Sequence, residues 1–210
     1  MADWFRRKTW IKDDESEFYS KLTRARANNR AQYLRIQAVV LLKTEQPENI
    51  EAAKSLLEKI LTDYPENILD KSSTLYLLGE VFQYKGEKGN ALNCYRQAVD
   101  FEAEYPNTQT NAFLSYSEMI VKGKQEEYYD FVENLISSKI ATLMFPIMKY
   151  KAYSILSVIY KHKKDMEMAK YFADLAEQNA TAENSGFRYH KDLGLVEKRD
   201  VDLDRLVSGK

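Results

Sequence analysis

Apolar residues recur at three- and four-residue spacing along almost the whole chain, and only short breaks interrupt them. That period is the signature of helices with one buried stripe, and no segment carries the two-residue alternation of a half-buried strand. Composition agrees. Glycine (7) and proline (4) are scarce in 210 residues, and strands need turns built from them. With 44% hydrophobic and 30% charged residues the chain has the make-up of a folded protein.

The breaks predict about ten helices. A flanking helix covers 14–28, with Asp14 and Glu17 spaced as a capping box. Hairpins follow at about 31–63, 70–104, 109–138 and 146–179, and a last helix covers 182–198 as a cap. Pro47 suits the first turn of a helix, Pro65 ends that helix, and Gly86 stands where a left-handed C-cap is expected. Residues 1–13 form an N-terminal arm and 199–210 a tail too weakly patterned to assign. Short connections make neighbouring helices antiparallel. The fold class is therefore all-α, a single domain over 14–198.

The hairpins are copies of one another. Leu75, Leu78, Gly79, Phe82, Ala91, Tyr95 and Ala98 occupy positions 4, 7, 8, 11, 20, 24 and 27 of a unit that begins at Ser72. Tyr153, Leu156, Ser157, Tyr160, Ala169, Ala173 and Ala176 occupy the same positions of a unit beginning at Tyr150. Ala53, Leu57 and Ile60 keep the second half of the pattern in the first hairpin. The third is degenerate, with Asp130 where a small residue is expected. Small residues at positions 8 and 20 let two helices approach, and large ones fill the space beside them. A single hairpin cannot bury its own apolar face, so the units must stack.

This size pattern resembles the tetratricopeptide repeat family, most closely over residues 72–104, where "LYLLGEVF" and "ALNCYRQAV" follow the family signature. The resemblance implies a right-handed superhelix of stacked helix hairpins whose first helices line a concave groove. It places Tyr76, Glu80, Gln83, Tyr84, Tyr116, Met119, Lys151 and Lys161 on or beside that groove. Gly79, Ala91, Tyr95, Ala98, Ser157 and Ala169 are its structural repeat positions. The residues with which some members clamp the carboxylate tail of heat-shock chaperones are missing: Tyr76, Glu80, Leu77 and Ile155 stand at those positions.

No catalytic motif is present. His162 and His190 are the only histidines and Cys94 the only cysteine, so no zinc cluster, disulfide or cofactor is expected. Net charge is -1, which argues against nucleic acid as a partner. Residues 1–35 carry nine Lys/Arg against five Asp/Glu, read most simply as a solvated face. "WFRRKTWIK" mixes Trp4, Phe5 and Trp10 with basic residues and is expected either to fold back on the first hairpins or to be a disordered end. Arg188, Tyr189 and His190 are a second aromatic and basic cluster, read as the outer face of the cap. The N-terminus lacks an apolar signal region and no stretch is long enough to span a membrane, so a cytoplasmic place is expected.

The expectation is thus a non-enzymatic module that binds a protein or peptide in its groove. The alternatives are a bacterial-type regulatory or inhibitory protein, peptide-sensing or toxin-neutralising, and an enzyme with a scattered site.

Overall fold

A computed structural model describes residues 4–209, which contain ten α-helices, three 3-10 turns and no strand. The helices are α1 (Lys12–Arg24), α2 (Ala27–Leu42), α3 (Pro47–Asp63), α4 (Ile68–Tyr84), α5 (Lys88–Glu104), α6 (Ala112–Lys122), α7 (Tyr129–Lys139), α8 (Pro146–His162), α9 (Met166–Ala180) and α10 (Val201–Ser208). The chain divides into two compact units, residues 1–112 and 113–210, where a single domain is the sequence expectation.

In the first unit α2 packs on α3, α3 on α4 and α4 on α5. Phe18, Leu34, Ala38, Leu41, Ala53, Leu57 and Val81 are fully buried in its core. Pro47 opens α3 and α3 stops before Pro65, as expected. The start of α1 differs from the sequence reading. The helix begins at Lys12, and Asp14 is its third residue, not its cap. Its carboxylate reaches back to the Ile11 N–H and also accepts the Thr9 hydroxyl.

Of the two expectations for the N-terminal segment, the structure shows the folded-back one. Trp4, Phe5 and Trp10 pack against the core, with Trp4 and Phe5 both on Tyr33 and Trp10 on Phe18. Two amides hold its backbone. The buried Gln37 accepts the Arg7 N–H at 2.9 Å and donates to the Arg7 carbonyl at 2.7 Å, and Asn49 donates to the Lys8 carbonyl at 3.0 Å.

In the second unit α8 pairs with α9, and α7 and α10 pack on α8. The segment 182–198 is not the expected capping helix. It is irregular, with Gly186 (φ +83°) and Gly194 (φ +72°) left-handed, a conformation that breaks a helix. The Gly194 carbonyl instead accepts the Ile147 N–H at 2.9 Å, one of the free donors of the first turn of α8. A Cβ at Gly194 would come within 2.7 Å of three atoms of Phe145, so the approach requires glycine. The last helix is α10, in the tail left unassigned. Asp200 caps it by accepting the Leu203 N–H at 3.0 Å, and Gly209 ends it left-handed.

All four hairpin turns share one device. Each has a residue in the left-handed region just past its first helix: Glu45, Gly86, Lys124 and Lys164. In three of them the next residue donates to the carbonyl five positions back: Glu87 to Phe82, Gln125 to Ile120 and Asp165 to Tyr160. This is the Schellman closure of a helix end. The degenerate third hairpin therefore keeps the turn of its neighbours. Its glycine, Gly123, stands one residue before the left-handed position, which Lys124 occupies.

Candidate partner-binding faces

The repeat positions Gly79, Ala91, Tyr95, Ala98, Ser157 and Ala169 are all buried. The two better copies fill the gap beside position 8 differently. In α4–α5 a Cβ at Gly79 would come within 2.8 Å of three ring atoms of Tyr95, so glycine makes room for the tyrosine at position 24. In α8–α9 position 24 is Ala173. There the Ser157 hydroxyl fills the space and donates to the Ala169 carbonyl at 2.8 Å, joining positions 8 and 20 directly.

In the first unit Tyr76, Glu80, Gln83 and Tyr84 share one face of α4. Tyr76 and Glu80 are half-buried; Gln83 and Tyr84 are exposed. The Tyr95 hydroxyl lies against Glu80 and 2.9 Å from Gln83 Oε1, and its ring is 5.9 Å from that of Tyr76. The Tyr84 hydroxyl donates to the Glu45 carbonyl at 3.1 Å, while the residue remains 56% exposed. These four residues form a mixed aromatic and polar surface braced from beneath by Tyr95.

In the second unit the expected groove residues divide. Tyr116 is 3% exposed, its ring edge-on to Phe131, so it is a core side chain and not a groove surface. It packs there in a hairpin core that also holds the buried Phe113, Ile120, Tyr129 and Ile136. Met119 is half-buried. Lys151 pairs with Glu118 at 2.8 Å, and Glu118 also pairs with Lys122 at 2.6 Å. Lys161 donates to the Val207 carbonyl at 3.4 Å.

Helix α10 thus lies on the first-helix face of its own unit. Lys122 reaches Asp200 at 2.5 Å, and the Tyr150 hydroxyl donates to Asp204 at 2.8 Å while accepting the Asp200 N–H at 3.1 Å. Burial and the Asp204 carboxylate both push the Tyr150 phenol well above its usual pKa. Burial pulls Lys122 down, but the hydrogen bonds it donates to Asp200 and Glu118 outweigh it and leave its pKa raised. Burial pushes Asp200 up, and the Lys122 and Leu203 hydrogen bonds outweigh that and hold it below its usual pKa. Sequence reasoning missed Asp200, Leu203, Asp204 and Tyr150 as a set. The available signal was an Asp N-cap and a Gly C-cap bracketing "VDLDRLVS".

The remaining candidates are scattered. His162 faces Glu126 at 3.3 Å and the edge of Tyr129, whereas His190 is exposed in the 182–198 segment. Arg188 lies over the Tyr189 ring, and Tyr189 is 80% exposed. Cys94 is buried, and burial pushes its thiol above the usual pKa. Among the described residues no group of His, Cys, Asp and Glu is arranged to hold a metal ion. No described helix is long and apolar enough to cross a membrane.

These features define an all-α protein of helical hairpins with repeat-like packing. Compared with known proteins, the chain matches no family model, no curated protein and no solved structure at a significant level.

Proposed function

We propose that this chain is a non-catalytic interaction module of tetratricopeptide-like build. Its stacked hairpins form a right-handed superhelix that holds a peptide, helix or protein surface against the first helices. The observation that carries this reading is that faces of the chain already hold segments of the chain itself in the manner of ligands. Gln37 and Asn49 grip the backbone of an extended segment, and α6 and α8 hold a short amphipathic helix. Both are recurring ways of recognising peptides. The α4 face offers a further surface, where Tyr84 and Gln83 combine apolar area with adaptable hydrogen bonding. The one cysteine, Cys94, forms no disulfide, which fits a reducing, cytoplasmic place.

The test is capture. Affinity purification with the native chain, followed by mass spectrometry, should yield a protein partner that the Gln83→Ala/Tyr84→Ala variant captures at least tenfold less, with an unchanged melting temperature. Equal capture by both would remove the α4 face from the reading.

A second reading, a regulatory or inhibitory protein that binds through the 185–198 segment, is favoured by the exposure of Tyr189 and Leu193 there. Loss of capture in Tyr189→Ala with retention in the α4 variant would select it.

A further inference from the structure

The amphipathic pattern of α10 states the chemistry of the surface that receives it. Asp200, Leu203, Asp204 and Val207 stand at i, i+3, i+4 and i+7, the spacing of a helix lying in a groove. Each is engaged: Asp200 by Lys122, Asp204 by Tyr150, the Val207 carbonyl by Lys161, and Leu203 is 0% exposed. Val201, Asp202 and Arg205 on the other side are exposed. The receiving face carries Lys122, Lys151 and Lys161, with Glu118 paired to the first two and with Tyr150 and Ser154 beside them on α8. Two aspartates of the segment, Asp200 and Asp204, meet that face, while Asp202 pairs with Arg205 on the exposed side.

Three features mark α10 as a replaceable occupant. It has eight residues, too few to be stable without the surface beneath it. It hangs on residues 181–200, which contain no helix or strand, so it docks as a tethered ligand at high effective concentration. It also leaves the face incompletely matched. Ser154 lies one turn from Tyr150 on α8 and is 1% exposed, and its hydroxyl has no hydrogen-bond partner. It stands between Tyr150 and Lys161, the two α8 residues that hydrogen-bond to the α10 segment.

We propose that the α6–α8 face is a docking groove for an acidic amphipathic helix of a partner protein, of the pattern Asp-x-x-Leu-Asp-x-x-Val, and that α10 occupies it as an exchangeable internal competitor. The proposal rests on the interaction-module reading and names the partner class and the regulation of one of its faces.

The experiment uses the full chain and a fluorescein-labelled peptide of residues 199–209 as probe, read by anisotropy. Leu203→Glu undocks α10 without touching the groove, and far-UV circular dichroism checks that the fold is kept. The variant is expected to bind the probe at least tenfold more tightly than the native chain. Adding Lys122→Ala and Tyr150→Phe to it should abolish the gain. Hydrogen exchange on the native chain is the second measurement and needs no variant. The amides of α10 should exchange at least tenfold faster than those of α8, and excess unlabelled peptide should accelerate them further.

Equal probe binding by native and Leu203→Glu chains, together with exchange of α10 at the rate of α8, would make α10 a fixed structural cap and overturn the proposal. A concentration-dependent dimer that protects α10 would also overturn it, because a second copy would then be the occupant. None of these outcomes bears on capture through α4, so failure here is distinguishable from failure of the broader reading.

Discussion

The Ser157 hydroxyl and the Ala169 carbonyl meet at 2.8 Å across the α8–α9 hairpin, whereas the equivalent glycine of α4–α5, Gly79, lies under the ring of Tyr95. The same position of the repeat is small in both, for different reasons. In one hairpin a hydroxyl bridges two helices; in the other an absent side chain admits an aromatic ring.

Gly79→Ala should therefore be destabilising although alanine favours helices. Its Cβ has no room beside Tyr95, and overpacking of this kind costs about 1–3 kcal/mol. A chain of this length should lose roughly 2–4 °C of melting temperature per kcal/mol, readable by calorimetry. Gly79→Ala combined with Tyr95→Phe should not recover the loss, because the ring remains.

Tyr116→Ala should behave as a core truncation, with a cost of about 3–5 kcal/mol. Tyr84→Ala, at an exposed site, should stay within about 0.5 kcal/mol of the native chain. Chemical denaturation of the two variants separates them directly.

Gln37→Leu should loosen the N-terminal segment by about 1–3 kcal/mol, since it leaves the N–H and carbonyl of Arg7 without their partner. The chain's two tryptophans are Trp4 and Trp10, so intrinsic tryptophan fluorescence reports on this segment alone. In the variant its red shift should occur at lower denaturant than the loss of helical signal. In the native chain the two should be closer together.

Docking of α10 should have an acid and an alkaline limit. The pKa of Asp200 is depressed from its ordinary 3.8, so its contribution is complete above that pH and disappears as pH falls through the lower folded value. The pKa of Tyr150 is raised from 10.0, and that of Lys122 from 10.5. Their contributions are complete below those values and are lost as pH rises through the folded ones. Glu118, Lys151, Asp204 and Arg199 face the same cluster. The amide resonances of Leu203 and Val207 should hold constant from about pH 4 to about pH 10 and move outside that window.

Cys94 should react with a thiol reagent far more slowly in the native chain than in denaturant, because burial both hides the sulfur and disfavours the thiolate. Equal rates would place it on the surface.

The helices of the four hairpins were legible because their stripes and breaks are local signals, as with Pro47 and Gly86. The turns were less so. Three of the four left-handed positions are Glu45, Lys124 and Lys164, and no residue type announces them; the stacked helices impose that conformation on ordinary side chains. The segment 182–198 was misread because Leu193, Leu195 and Val196 imitate a helical stripe. The decisive contact, Gly194 against Phe145 and Ile147, joins residues far apart in sequence. Tyr116 was misplaced for a related reason. Its burial depends on the neighbouring Phe131, from the paired helix, which the repeat pattern does not encode.

The grip of Gln37 and Asn49 is on peptide groups only, which every residue type except proline supplies in full. Lys8 is thus held by what all chains share and, exposed to water, is free to become almost anything else, whereas Arg7 is held also through its guanidinium, which pairs with Asp14 and Glu17. Proline at 7 is the exception: it would delete the donor that Gln37 receives and release the strap.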